Sequence, residues 1–287
     1  MQAILSDIHG NLEAIEAVLA DAAPMGATSI VCLGDIIGHG PDPIACLELA
    51  GKWDFVVAGN FDYALLYEHS FRGWTRHVAA ESVVQARHRL QIHPDGTRLF
   101  QFVAALPHSH QDAATGAIYL HGSPRHPLNE YVFPEDIYNT HKMSRVWEQF
   151  DSLCFHGHTH IPGIITESSC EESSNQTPPL TLGRSPGSPK ELFPQSNHDD
   201  EQTNQCPWSF VTPDECGQEF DISDHKVLCN VGSVGQPRDG DNRACYVLFD
   251  GRTIRFRRVP YDFETTQQKH RDNGDDDSLG RRLAEGL

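Results

Sequence analysis

The run Ala3-Ile4-Leu5-Ser6-Asp7-Ile8-His9-Gly10-Asn11 decides the fold. Its apolar opening predicts a buried strand over 3–6. Asn11 then opens a helix that carries Leu12, Ile15, Val18 and Leu19 on one face. A carboxylate and an imidazole two residues apart, directly after the strand, fall at the edge of the sheet it joins. Working outward, a second strand is expected over 28–33, a helix from Pro43 and a third strand over 55–58. Such a βαβαβ unit brings the loop after every strand to one edge, where ligands bind in open α/β sheets.

The same edge collects more polar motifs. Gly34-Asp35 follows the second strand and Gly59-Asn60-Phe61-Asp62 the third. His121-Gly122 follows a short apolar run over 118–120, and Gly157-His158-Thr159-His160 follows another over 152–155. All are built from carboxylate, amide and imidazole groups, ligands suited to Mn²⁺, Fe²⁺, Co²⁺ or Zn²⁺, with no thiolate among them to choose further. A strand-end Asp is commonly a helix cap and an isolated His commonly a surface residue. Five such motifs, each behind an apolar strand, are hard to explain by capping.

Beyond the first unit the pattern predicts helix over 74–102 and 134–150, and further strands over 161–165, 226–229 and 245–249. Asp250-Gly251 between two alternating runs marks a hairpin. The expected class is α/β: two packed mixed sheets flanked by helices, forming one domain over 1–261. Residues 167–225 interrupt it with Ser, Pro, Asn, Gln and acid, twelve acids standing against Arg184 and Lys190. Residues 262–287 hold seven acids and four bases. Both segments are read as solvated and disordered, the first also as a possible docking arm for a protein partner.

Composition narrows the function. A net charge of −18 disfavours wrapping duplex nucleic acid. No apolar run approaches the roughly 18 residues that would span a bilayer, and no basic, apolar leader precedes Ala3. Eight cysteines without a C-x-x-C pair read as reduced thiols, so a cytoplasmic protein is expected. Oligomeric state has no signature in the chain.

Taken together the motifs resemble the calcineurin-like metallophosphoesterase superfamily, whose pattern is D-x-H, G-D, G-N-H-[DE], H and G-H-x-H. The strings Leu33-Gly34-Asp35 with Gly40-Pro41-Asp42-Pro43, His121-Gly122-Ser123-Pro124 and Asn230-Val231-Gly232-Ser233-Val234-Gly235-Gln236-Pro237-Arg238 are similar to its small bacterial and archaeal phosphodiesterase-type branch. The resemblance covers roughly 1–165 and 226–260. It implies that fold and two divalent metal ions, one held by Asp7, His9, Asp35 and His160, the other by Asp35, Asn60, His121 and His158. Asp35, Asn60 and His121 are the catalytic centre on this reading. Two such ions about 3.5–4 Å apart acidify a bridging water and neutralise phosphate oxygens, as direct hydrolysis of a small phosphoester or nucleotide requires.

Three residues are candidate substrate contacts, each with a plainer alternative. Asn11 either meets phosphate or caps its helix, the cap being favoured. Arg238 either clamps phosphate or pairs with Asp239 or Asp241. His39 either touches substrate or lies on the surface. Ser233 and Gly232 either offer backbone N–H groups or fix a ligand-bearing loop. The chain departs from the family pattern at Phe61, where the pattern has a His able to protonate a leaving group. That puts monoesterase activity in doubt. The alternatives are a dinucleoside polyphosphate hydrolase, a protein phosphatase, or a catalytically weak metal-binding scaffold.

Overall fold

The computed structural model describes residues 1–67, 77–168 and 206–287. β1 (Gln2–Leu5) is followed by α1 (Leu12–Ala22), β2 (Ser29–Cys32), α2 (Pro43–Ala50), β3 (Phe55–Val56) and α3 (Asn60–Leu66). The side chain of Asn11 starts α1 by accepting the Ala14 amide, and Pro43 starts α2 at a position where a missing N–H costs nothing. The stretch expected to be helical from 74 is, within the described residues, two helices: α4 (His77–Ile92) and α5 (Gly96–Ala104). They part at His93-Pro94-Asp95, because Pro94 cannot continue a helix.

β4 (Ser109–Gln111) and β5 (Ile118–Leu120) lead to the second helical expectation, 134–150. That region too is divided, into a 3₁₀ turn (Pro134–Tyr138) and α6 (Thr140–Trp147). Asn139 is the divider, since its side chain accepts the Lys142 amide as a fresh N-cap. β6 (Leu153–His156), β7 (Gly163–Glu167), β8 (Trp208–Val211), β9 (Glu219–Asp221), β10 (Val227–Asn230), β11 (Ala244–Phe249) and β12 (Thr253–Val259) complete the strands. α7 (Phe263–Asn273) and α8 (Asp277–Glu285) end the chain.

The strands form two six-stranded sheets, in the orders β3-β2-β1-β11-β12-β9 and β4-β5-β6-β10-β7-β8. β1, β2 and β3 run parallel in the first, and β5, β6 and β10 in the second. Their C-terminal ends therefore bring the ligand-rich loops together. Strand alternation fixes three apolar layers. Ala3, Leu5, Tyr246 and Leu248 face α1 to α5. Ile4, Val247, Phe155 and Cys229 meet between the sheets. Cys154 and Leu228 face Met143, Val146 and Trp147 of α6 and its flank. Strands buried on both faces read as continuous apolar runs, which made them legible.

Two expectations need correction. Residues 206–225 are not a solvated loop, because β8 pairs with β7 and β9 with β12 as the outer strands of the two sheets. The remainder of that stretch, 169–205, lies outside the described residues, and with it most of the possible docking arm. Residues 262–287 are not a solvated tail either. Asp262 and Asp276 cap α7 and α8, and Gly274 and Gly286 end them in the left-handed conformation. Their charges are used in docking: Lys269 bonds Glu13 and Asp42, Arg89 bonds Asp275, and Leu279 and Leu283 are buried. No helix among the described residues is long and apolar enough to cross a membrane.

Candidate metal centre

Where the two sheets' parallel ends converge, six side chains form two groups. Asp7, His9 and His160 make one; Asp35, His121 and His158 make the other; the ligand atoms within each lie within 4.8 Å of one another. All six are buried, as is Asn60. In the first group, Nε2 of His160 is 3.2 Å from Oδ1 of Asp7 and 3.2 Å from Nε2 of His9. In the second, Nε2 of His121 is 3.3 Å from Oδ2 of Asp35, 3.0 Å from Oδ1 of Asn60 and 3.0 Å from Nδ1 of His158. Oδ2 of Asp35 also stands 3.7 Å from Nε2 of His9, so one carboxylate faces both groups.

Backbone geometry presses these residues into place. Asp7, His9, Asp35, His158 and His160 all adopt φ between 50° and 69°, and Gln218 is the one other described non-glycine residue in that left-handed region. Such conformations cost of order 1–3 kcal/mol each and persist where the surroundings over-determine them. The constraints are visible. The amides of Asp7, His9 and Gly10 donate to the carbonyls of Gly34, Asp35 and Ile36, and the His158 amide donates to Oδ2 of Asp7. A Cβ on Gly157 would lie 2.1 Å from Ser6 Oγ and 2.5 Å from Asp7 Oδ2, so glycine alone allows that approach.

The donor set fits divalent cations. Nδ1 of His9, His121 and His160 each faces a main-chain carbonyl, of Ile37, Leu33 and Gln236 respectively. A proton on Nδ1 then leaves the Nε2 lone pair pointing inward. Imidazole nitrogens with converging lone pairs repel unless a cation lies between them, and Oδ1 of Asp7 is buried without a hydrogen-bond donor. Ligands about 2.1 Å from one ion, at angles between a right angle and the tetrahedral angle, stand about 3.0–3.4 Å apart, a range that holds the 3.0–3.3 Å separations seen here.

Electrostatics distinguishes the residues. Burial pushes the Asp7 carboxyl up, but His160, His121 and His9 outweigh it and hold the group well below the usual range. Burial, with neighbouring histidines or Arg238, drives His9, His158 and His160 down. His121 moves the other way, to about 9, because Asp35 and Asp7 overcome its burial.

The remaining candidates divide. Asn11 caps α1: its Oδ1 accepts from Ala14 and Thr266, and its Nδ2 donates to Gly235 O and Tyr261 Oη. His39 is buried and not on the surface, its ring 4.8 Å from those of His9 and Phe61. Arg238 sits beside the first group, its amide bonded to the His160 carbonyl, while Asp239 bonds Arg258 and Asp241 bonds Arg243. Ser233 fixes a loop, accepting from the Gln236 amide and donating to the Asp7 carbonyl.

Sequence reasoning missed two parts. The buried carboxyl of Asp62, pushed to about 7 by burial and by Asp35, accepts the amides of Ile36, Ile37 and Gly59 and so joins two ligand loops. A capping signal, Asp three residues after Gly59, was there to be read. Tyr131 stacks on His158 with ring centroids 3.8 Å apart, a contact that no local pattern announces.

A family model described as the calcineurin-like phosphoesterase superfamily domain matches residues 1–198. The chain belongs to that superfamily. Members use a dinuclear divalent metal centre, and membership implies phosphoester hydrolysis. An uncharacterized protein of Methanocaldococcus jannaschii is 31% identical over 292 residues, 99% of this chain and 97% of that protein. The crystal structure of a metallophosphoesterase from Sphaerobacter thermophilus shares 33% identity at a TM-score of 0.69, covering 100% of this chain and 98% of that one. A hypothetical protein of Pyrococcus horikoshii, 15% identical with a TM-score of 0.68 over 100% and 99% of the two chains, shares the fold.

Proposed function

We propose that the protein is a two-metal phosphodiesterase acting on a small phosphoester or nucleotide. The observation that carries this reading is the single Asp35 carboxylate facing both donor groups, Oδ2 lying 3.3 Å from His121 and 3.7 Å from His9. Divalent ions held by Asp7, His9, Asp35 and His160, and by Asp35, Asn60, His121 and His158, would supply charge neutralisation at phosphate and an acidified water.

The chain's own residues do the rest. Carbonyl bonds at Nδ1 hold three histidines in one tautomer and orientation. The Arg238 guanidinium depresses His9 and His160 from nearby, so its positive charge is felt where a phosphate would bind. Phe61, packed edge-on against His9 at 4.9 Å, has no proton to give a leaving group. That favours diesters with good leaving groups over monoesters.

Metal-stripped protein supplied with Mn²⁺ tests the reading. Bis-p-nitrophenyl phosphate is expected to turn over faster than p-nitrophenyl phosphate. A faster monoester would overturn the diesterase assignment, and no turnover of either would favour a metal-binding scaffold.

A further inference from the structure

A cleft of about 560 Å³ opens between two loops and is lined by His108, His126, Pro127, Leu128, Asn129 and Glu130. Both walls are tied to the second donor group. One wall is the loop that leaves His121 and returns to Tyr131, stacked on His158; within it the amide of Gly122 donates to the carbonyl of Pro127. The other wall carries His108, whose ring meets Tyr63 edge-on at 5.8 Å, one turn of α3 beyond Asn60. The carbonyl of Pro107, just before it, accepts the amide of Ala58, immediately ahead of Gly59-Asn60. The cleft therefore lies beside the segments that carry Asn60, His121 and His158, none of which lines it.

Its chemistry is selective. Glu130 is bonded by Ser123 and twice by Arg125, so its charge is answered within the loop. Among the described lining residues there is no Lys or Arg to receive a second phosphate. What remains is two imidazoles and an amide beside Pro127 and Leu128, surfaces that stack on and hydrogen-bond to a planar, uncharged group. The volume lies within the range of small-molecule sites.

We infer that this cleft is the subsite for a planar, uncharged, hydrogen-bonding substituent of the phosphoester, a nucleobase or its equivalent. The inference rests on the phosphoesterase reading, because it takes the second donor group as the place where phosphate is held.

Calorimetry on Mn²⁺-loaded protein with ribose 5-phosphate and adenosine 5′-monophosphate isolates the base. The nucleotide is expected to bind about tenfold or more tightly, the scale of base stacking on protein rings. Leu128→Trp fills the cleft and should remove that advantage while leaving ribose 5-phosphate affinity unchanged. Equal affinities in the wild type, or an advantage that survives Leu128→Trp, would overturn the subsite. Should the Trp variant not fold, His108→Ala, at an exposed position, decides in its place: an undiminished advantage there overturns the subsite. Turnover of bis-p-nitrophenyl phosphate by the same preparation separates the two claims. Turnover without a nucleotide advantage overturns the subsite alone; an advantage without turnover overturns the diesterase reading alone.

Discussion

The two donor groups share a carboxylate and differ in their surroundings. Around the first, His39 and Phe61 pack on His9, and α7 and α8 close the flank: the void bounded by His9, Asn11, His39, Thr266 and Leu279 is about 10 Å³, at the lower limit of what a water needs. Beside the second, the chain leaves a cleft of about 560 Å³. The C-terminal helices thus close over one donor group, and among the described residues the roomier cleft lies toward the other. The lesson is that a symmetric-looking set of ligands can be divided into an anchor and a working face by what packs behind each.

The strongest way to break that division is at the shared residue. Asp35→Asn should lower bound Mn²⁺ from two ions per chain to fewer than one, and cut hydrolysis beyond the roughly 10- to 100-fold that altering a ligand's hydrogen-bond partner costs. Elemental analysis of dialysed protein reads the first effect. Retention of two ions would refute a bridging role. His160→Ala and His158→Ala sharpen the contrast, each being expected to leave one ion bound. If both removed both ions, the groups would have to be treated as a single site.

Acidity separates the groups in metal-free protein. His9, His158 and His160 have folded pKa values below the usual 6.5, so below that pH the unfolded chain binds protons the native state does not, and stability falls on acidification. His121, at about 9, contributes stability that is complete below 6.5 and is lost as pH rises through 9. Thermal melts after chelation should therefore show a Tm maximum near 6.5, with the steeper loss on the acid side. A Tm that rose steadily toward acid pH would count against the three buried neutral histidines.

Much of this centre could be read from the chain because each ligand follows a strand buried on both faces, and such strands are uninterrupted apolar runs. The outer strands β8 and β9 were hidden for the opposite reason: Glu219-Phe220-Asp221 and Trp208-Ser209-Phe210-Val211 are short, half-exposed and set in polar sequence. The C-terminal helices were missed because their charges were read as solvation. Lys269, Arg89 and Asp275 find partners some 180 or more residues away in sequence, which composition does not register. The stretch 168–224 thus contains two paired outer strands, β8 and β9, within its polar sequence. β7 and β10, on either side of that stretch, pair antiparallel.

Two smaller effects concern the sealed side. Gly38→Ala would put a Cβ 2.5 Å from Phe61 and 2.9 Å from His9 at φ +118°, and should cost about 1–3 kcal/mol in denaturant unfolding while weakening the first ion more than the second. A variant as stable as wild type would show that the loop can yield. Phe61→His should change least. Asp62 is already committed to three amides and is not available to orient a new ring, so the gain on an alkyl ester should stay below about tenfold, short of the 10²- to 10⁴-fold that positioned general acids provide. A larger, alkyl-selective rise in kcat would show that the imidazole finds another orienting partner.

The five left-handed ligands also determine how this protein responds to engineering. At those positions the backbone alone would favour glycine, which adopts positive φ without steric cost. A library selected for thermal tolerance without metal would be drawn toward substitutions that relax Asp7, His9, Asp35, His158 or His160, exchanging function for stability one ligand at a time. Selection in the presence of a bound divalent ion reverses the pressure, since ligation then rewards the strained conformation. For this fold the choice of buffer during directed evolution is itself a choice of which residues survive.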